Sequence, residues 1–195
     1  MLIERLYNHL NGTVKISPEA CELMLTHAKE FRLKKKEHFF INGDVAKYVG
    51  FIQQGCMRYY FIDEKGADHI IYFAQEEWWI GDLDSFYREV PTNNNLQALE
   101  ETIIYAFDKK SFDTVRLEIS AFDEYVKKRH AKATSARLDE MMAQRSTTAE
   151  ERYLKLLNSF PDIFQRVPQH YIASYLGIKP ESLSRIRKKL YNKNS

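Results

Sequence analysis

The segment from Gln169 to Lys188 constrains this chain more than any other. It reads Gln-His-Tyr-Ile-Ala-Ser-Tyr-Leu-Gly-Ile-Lys-Pro-Glu-Ser-Leu-Ser-Arg-Ile-Arg-Lys. Two helices approach closely only over a small side chain, which Ala173 supplies. Gly177 can take the left-handed conformation that turns one helix sharply into the next, and Pro180 suits a first helical turn, where an amide donor is not missed. Ile172, Leu176, Ile178, Leu183 and Ile186 fall where buried contacts would set the interhelical angle. The spacing predicts a helix-turn-helix. Any helical hairpin with glycine in its turn would share part of this pattern, so the outward residues carry the distinction. Lys179, Glu181, Ser182, Ser184, Arg185, Lys188 and Lys189 decorate the outer face of the second helix. They offer donors to phosphates and guanine edges, and a carboxylate able to accept from cytosine N4. Glu181 equally fits an ordinary first-turn acid favoured by the helix dipole. Arg185, in mid-helix on the exposed side, favours base contact.

Charge supports this placement. The chain is nearly neutral overall at +2, yet residues 146–195 hold nine Lys/Arg against four Asp/Glu, and the first 145 residues hold twenty against twenty-three. A basic end behind an acidic body suits a local polyanion-binding surface, although a solvated charged face gives the same count. The opening Met1-Leu2-Ile3-Glu4-Arg5 meets charge too soon for a secretory signal, and no apolar run approaches the roughly 18 residues of a membrane span. A cytoplasmic location without membrane contact is expected. In that setting Cys21 and Cys56 stay reduced, and they read as buried small hydrophobes; they fit no zinc or iron–sulfur spacing.

Ahead of this segment the texture is different. Leu2, Leu6 and Leu10, then Pro18, Leu23, Leu25 and Phe31, read as short helices. From Leu33 to Phe112, runs rich in Tyr, Phe, Ile and Val appear at His38–Ile41, Tyr48–Gln53, Met57–Ile62, His69–Phe73 and Ile103–Phe107. Asn42-Gly43-Asp44, Gln54-Gly55, Asp63-Glu64-Lys65-Gly66 and Pro91–Asn95 separate them as turns, and many short strands so spaced predict a sandwich or barrel. Met57–Phe61 and His69–Phe73 form a hairpin with Gly66 at its left-handed position. From Ser120 to Glu151 there is no Gly or Pro, which predicts a long helix. Its stripe Ile119, Phe122, Val126, Ala133, Ala136 and Met141 must be buried, either on its own domain or, the reading favoured here, against a second copy over Ser120–Gln144. A further helix is expected over Ala149–Ser159.

With these features in place the chain resembles the Crp/Fnr family of bacterial regulators over nearly its whole length. The residues that carry the resemblance are Phe40-Ile41-Asn42-Gly43-Asp44, Phe51-Ile52-Gln53-Gln54-Gly55-Cys56-Met57-Arg58, Ile80-Gly81-Asp82 and the helix-turn-helix. It implies an α+β fold: an N-terminal double-stranded β-helix (a β-roll or jelly roll), a long dimerisation helix and a C-terminal winged helix-turn-helix. The domains would be a cyclic nucleotide-binding-like sensor over 1–118, the dimer helix over 119–145 and the DNA-binding domain over 146–195. Glu181 and Arg185 stand where family members read bases, Ser182 where one contacts phosphate, and Gln169 and His170 where the preceding helix touches the backbone. The implied partners are double-stranded DNA, a second copy of the chain and RNA polymerase. The recognition helices would enter successive major grooves about 34 Å apart.

The departures from the family are specific. Nucleotide-binding members follow a Gly-Glu pair, about ten residues on, with an Arg-Ser or Arg-Thr that holds the cyclic phosphate. Here Gly81-Asp82 is followed by Pro91-Thr92-Asn93-Asn94-Asn95. Burying a phosphodiester without a cation costs several kcal/mol, so cAMP and cGMP are not expected to bind in the usual way. Arg88 is the nearby cation that would have to substitute. Gly81, Asp82, Thr92, Asn93 and Arg137 would line the family's pocket. The cysteine cluster of oxygen sensors and the histidine–cysteine pair of haem sensors have no counterpart, so no cofactor is expected and the effector is unnamed. The chain ends at Ser195, soon after the second helix, so the hairpin wing is expected to be absent or truncated. A β-roll also resembles a cupin enzyme, but the relevant strand offers His69 alone as a metal ligand. A sensor whose helix-turn-helix has become a protein-interaction module is the remaining alternative. Neither displaces the expectation of a regulator that is not an enzyme.

Overall fold

The structure, a computed structural model, describes residues 2–131 and 147–193. Two helices open it, α1 (Leu2–Asn11) and α2 (Pro18–Thr26). Leucines four apart put Leu6 and Leu10 on one buried face of α1. Ser17 caps α2 through its hydroxyl, and α2 buries Cys21 and Met24 while Leu23 stays exposed. Phe31, expected in a helix, lies instead in the first strand, β1 (Lys29–Leu33). Its partner there is the last strand, over seventy residues on, a pairing that local periodicity cannot register.

The remaining strands are β2 (His38–Phe40), β3 (Tyr48–Gln54), β4 (Met57–Ile62), β5 (Asp68–Ala74), β6 (Trp79–Ile80), β7 (Asn95–Ala98) and β8 (Thr102–Asp108), with α3 (Leu83–Arg88) between β6 and β7. They form two antiparallel four-stranded sheets, ordered β1-β8-β3-β6 and β2-β7-β4-β5. This is the expected roll. The β4–β5 hairpin turns through Gly66, and Asp63 accepts from the Lys65 and Ala67 amides across the turn.

Alternation along the strands assigns each residue to one of three apolar layers. Phe40, Ile52, Met57, Tyr59, Leu96 and Ile104 meet between the sheets. On the outer face of the first sheet, Phe51, Trp79 and Phe107 pack against α1, α2, α4 (Lys109–Glu118) and the helix that follows it. That helix, α5, is described over 120–131. On the outer face of the second sheet, Tyr60, Ile70 and Phe73 pack against the C-terminal helices, α6 (Ala149–Ser159), α7 (Ile163–Arg166), α8 (Gln169–Tyr175) and α9 (Pro180–Lys193).

The long-helix expectation divides here. Ile119, Phe122 and Val126 are buried in the chain's own core, with Phe122 against Trp79, Phe112 and Tyr125. The start of the stripe therefore packs on the chain's own roll. Ala133, Ala136 and Met141 lie outside the described residues, as does most of the dimer segment. The expected run to Glu151 is interrupted before α6. Residues 147 and 148 are not helical, and Thr148 starts α6 anew through a capping box with Glu151, each side chain bonding the other's backbone amide.

Candidate nucleic-acid interface and sensor loop

α8 and α9 are joined by a turn in which Gly177 takes φ 65° and the Ile178 amide bonds back to the Ala173 carbonyl at 3.0 Å. Ile172, Ala173, Leu176 and Leu183 are buried, and Ile178 and Ile186 pack beside them. Every apolar position singled out in the motif thus faces inward. The opposite face of α9 presents Lys179, Glu181, Ser184, Arg185, Lys188 and Lys189 to solvent, with Ser182 half-buried and Gln169 and His170 exposed at the start of α8. Arg185 has only long contacts, 3.5 Å to the Glu181 carbonyl and 3.4 Å to Ser182 Oγ, so its guanidinium can turn outward at little cost. Two basic residues of α9 are otherwise engaged. Lys189 Nζ pairs with Glu150 of α6 at 2.6 Å, and Arg187 lies over the Phe164 ring at 4.6 Å, inside the domain.

Contacts that sequence reading missed join this domain to the roll. Arg166, at the end of α7, bonds both carboxylate oxygens of Glu76 at 2.9 Å, Glu100 at 2.5 Å and Asp162 at 3.3 Å. Burial opposes charge on Arg166, but the bonds from Glu100 and Glu76 outweigh it and raise its pKa. The Arg58 guanidinium sits between the rings of Tyr60 and Tyr171, 3.8 and 4.0 Å from their centres, and bonds Gln97 and Asp68. Ser174 Oγ donates to the Asp68 carbonyl at 2.7 Å. Arg58 in the middle of an aromatic strand was the one signal in the sequence: an arginine on a buried face needs rings and carboxylates to receive it. Beside this joint Cys56 is buried, and its thiol is pushed up to about 12 by burial. Burial likewise raises Cys21, to about 11, so neither cysteine is a thiolate near neutral pH.

In the loop after β6, Gly81 takes φ 147°, and a β-carbon there would come within 3.0 Å of Val49 Cγ1. The turn delivers Asp82 to the cap of α3, where its Oδ1 accepts from the Ser85 amide at 3.2 Å. Its Oδ2 accepts from Tyr59 Oη at 2.9 Å, Thr92 Oγ1 at 2.5 Å and Asn94 Nδ2 at 3.3 Å. Of the residues expected to line a pocket, Asp82 and Thr92 are thus bonded to each other and Gly81 adjoins them. Asn93 is exposed, its neighbour Asn94 reaching the carboxylate, and Arg137 lies outside the described residues. Arg88 is exposed and bonds both oxygens of Asp84 at 3.2 Å, away from Asp82. His69 pairs with Asp63 at 2.8 Å and stacks on Phe61, and no group of three potential metal ligands occurs among the described residues.

These environments set a pH dependence. Burial disfavours charge on His9 and His38 and lowers both, so each loses stability as pH falls below its ordinary value of 6.5. Burial also works against ionising Asp82, yet the bonds from Thr92, Ser85, Tyr59 and Asn94 outweigh it and hold the carboxyl below the usual range. Glu76 behaves alike through Arg166 and the Gly55 amide. A depressed carboxyl contributes stability above its unfolded pKa and loses it as pH falls through the folded one. Urea midpoints are therefore expected to be level between about pH 7 and 8, to decline gently below about 6.5 and to fall steeply below about 4, while the raised thiols of Cys21 and Cys56 lower them again above about pH 9.

Comparison with known proteins agrees with a β-roll that carries a helix-turn-helix on the outer face of its second sheet. Residues 30–118 match the family model of the cyclic nucleotide-binding domain. No curated protein sequence matches the chain significantly. Among solved structures, FixK2 from Bradyrhizobium japonicum is 19% identical with a TM-score of 0.72, covering 86% of each chain. The c-di-GMP responsive global regulator CLP of Xanthomonas campestris is 14% identical with a TM-score of 0.67, covering 91% of this chain and 93% of its own. A CooA mutant from Carboxydothermus hydrogenoformans is 18% identical with a TM-score of 0.67, covering 87% of this chain and 78% of its own. Residues 30–118 thus form a cyclic nucleotide-binding-type domain, and the chain as a whole shares the fold of these solved structures. No helix among the described residues is long and apolar enough to cross a membrane.

Proposed function

We propose that the chain is a sequence-specific DNA-binding transcription regulator and not an enzyme. The observation that carries this reading is the division of α9 into two faces. Leu183 and Ile186 anchor it, while Lys179, Glu181, Ser184, Arg185 and Lys188 project together into solvent at the start and middle of the helix. A rigidly backed helix with basic and hydrogen-bonding residues on its free face fits a major groove. Residues 1–118 serve as the sensor, 119–145 pair two copies, and 146–195 read DNA, with Gln169, His170 and Ser182 on phosphates and Glu181 and Arg185 on bases. Lys189, tied to Glu150, contributes only after that pair opens. The dimer reads a near-palindromic site in the cytoplasm and acts through RNA polymerase.

Gel shifts on genomic fragments test the reading, with retardation that weakens as salt rises as the expected result. Failure to bind any fragment even at low salt would leave an interaction module instead. Arg185→Ala is expected to cost about 1–3 kcal/mol in site affinity and to relax preference at one position per half-site. Equal loss on every sequence would make Arg185 a phosphate contact.

A further inference from the structure

Four donors from three parts of the roll converge on one side chain. Tyr59 comes from β4, the Ser85 amide from the first turn of α3, and Thr92 and Asn94 from the loop before β7; all four bond Asp82. An ionised carboxylate offers about four acceptor positions, and this set matches them in number, three bonds on Oδ2 and one on Oδ1. The donors are themselves fixed. Tyr59 and Thr92 are buried, the Asn94 amide bonds Thr92 Oγ1 at 3.0 Å, and Ser85 Oγ links the Val90 carbonyl to the Ala46 amide. Among the described residues no lysine or arginine pairs with Asp82, and the four donors named are all neutral.

A ring of inward-pointing neutral donors around one negative charge, inside a domain matched to a family described as binding an anionic nucleotide, has a direct physical reading. We infer that Asp82 is a resident anion: its carboxylate takes up, from within the chain, donors that would otherwise be free for an anionic ligand, and it staples the loop from Gly81 to Asn95 to β4 without any ligand. A cyclic nucleotide arriving here would find these donors engaged, with Pro91-Thr92 in place of the arginine that holds its phosphate in nucleotide-binding members. This deepens the sensor half of the regulator reading and rests on that reading only in its consequence, that DNA binding proceeds without a cyclic nucleotide.

Chemical rescue in the full-length chain tests it. Asp82→Ala removes the anion and leaves the donors around a small cavity, and is expected to lower Tm by about 5–10 °C, the loss of charge-assisted hydrogen bonds in a chain of this size. Sodium formate, compared with sodium chloride at equal ionic strength and pH, is expected to restore at least half of that loss saturably. The same formate should leave the wild type unmoved. Equal effects of formate on both proteins would overturn the inference, and so would calorimetric binding of cyclic AMP to the wild type at micromolar concentrations. Should Asp82→Ala not fold, Thr92→Val deletes one donor and keeps the shape. It is expected to melt several degrees below the wild type, and a superimposable melting curve would overturn the inference. None of these readouts involves DNA, so they fail or succeed apart from the gel shifts.

Discussion

Arg166→Ala is expected to destabilise the chain by about 3 kcal/mol and to lower Tm by about 6–12 °C. The substitution leaves Glu76 and Glu100, on the roll, facing a cavity with no cation between them. Arg166 keeps 17% of its side-chain surface in water and Glu100 34%, so the lower end of the range for breaking a buried ion pair applies. The uncompensated carboxylates, more than the lost attraction, set the size of the effect. Arg166→Met combined with Glu76→Gln and Glu100→Gln is accordingly expected to recover most of the loss in thermal melts. Hydrogen exchange should also quicken in α8 and β5, where Ser174 bonds the Asp68 carbonyl and the Ile70 amide. A melt within about 1 °C of the wild type would show that the apolar contacts around Tyr60, Phe73 and Leu156 hold the two parts together unaided.

Phe122→Ala should cost about 3–5 kcal/mol, the usual range for truncating a fully buried aromatic ring, and lower Tm by about 6–20 °C. Phe122 is completely buried, with ring centres 5.6 Å from both Trp79 and Phe112. The cavity would open where α5 packs on the roll, and these ring pairs add their own geometry-dependent share. Urea unfolding measures the change, with Glu124→Ala on the exposed side of the same helix as the control expected to stay within about 0.5 kcal/mol. A small effect from Phe122→Ala would mean that this stretch packs for a partner chain more than for its own domain.

How far each feature was legible in the sequence follows from the distance over which it is decided. The helix-turn-helix was legible to the residue because Ala173, Gly177 and Pro180 act within one or two helical turns. β4 and β5 were legible because their hairpin closes through four turn residues. β1 was missed since its partner lies at the far end of the roll, and β6 is only two residues long. The helix over Ala149–Ser159 was expected at the bounds observed, but Thr148 was not singled out as its cap because the helical composition continues on both sides of it.

The site divides in the same way. The residues themselves determined that α9 would have an apolar face and a basic, hydrogen-bonding one, since a 3.6-residue period needs no other part of the chain. They also determined that no arginine follows Gly81-Asp82 at the phosphate-holding position. Only the tertiary structure decided what replaced it: Tyr59, Ser85, Thr92 and Asn94 come from segments up to thirty-five residues apart and meet at Asp82 through the closure of the roll. Arg166 likewise finds Glu76 and Glu100 across ninety and sixty-six residues. Such contacts depend on which loops close and which sheet faces meet, and these are set by the whole core at once.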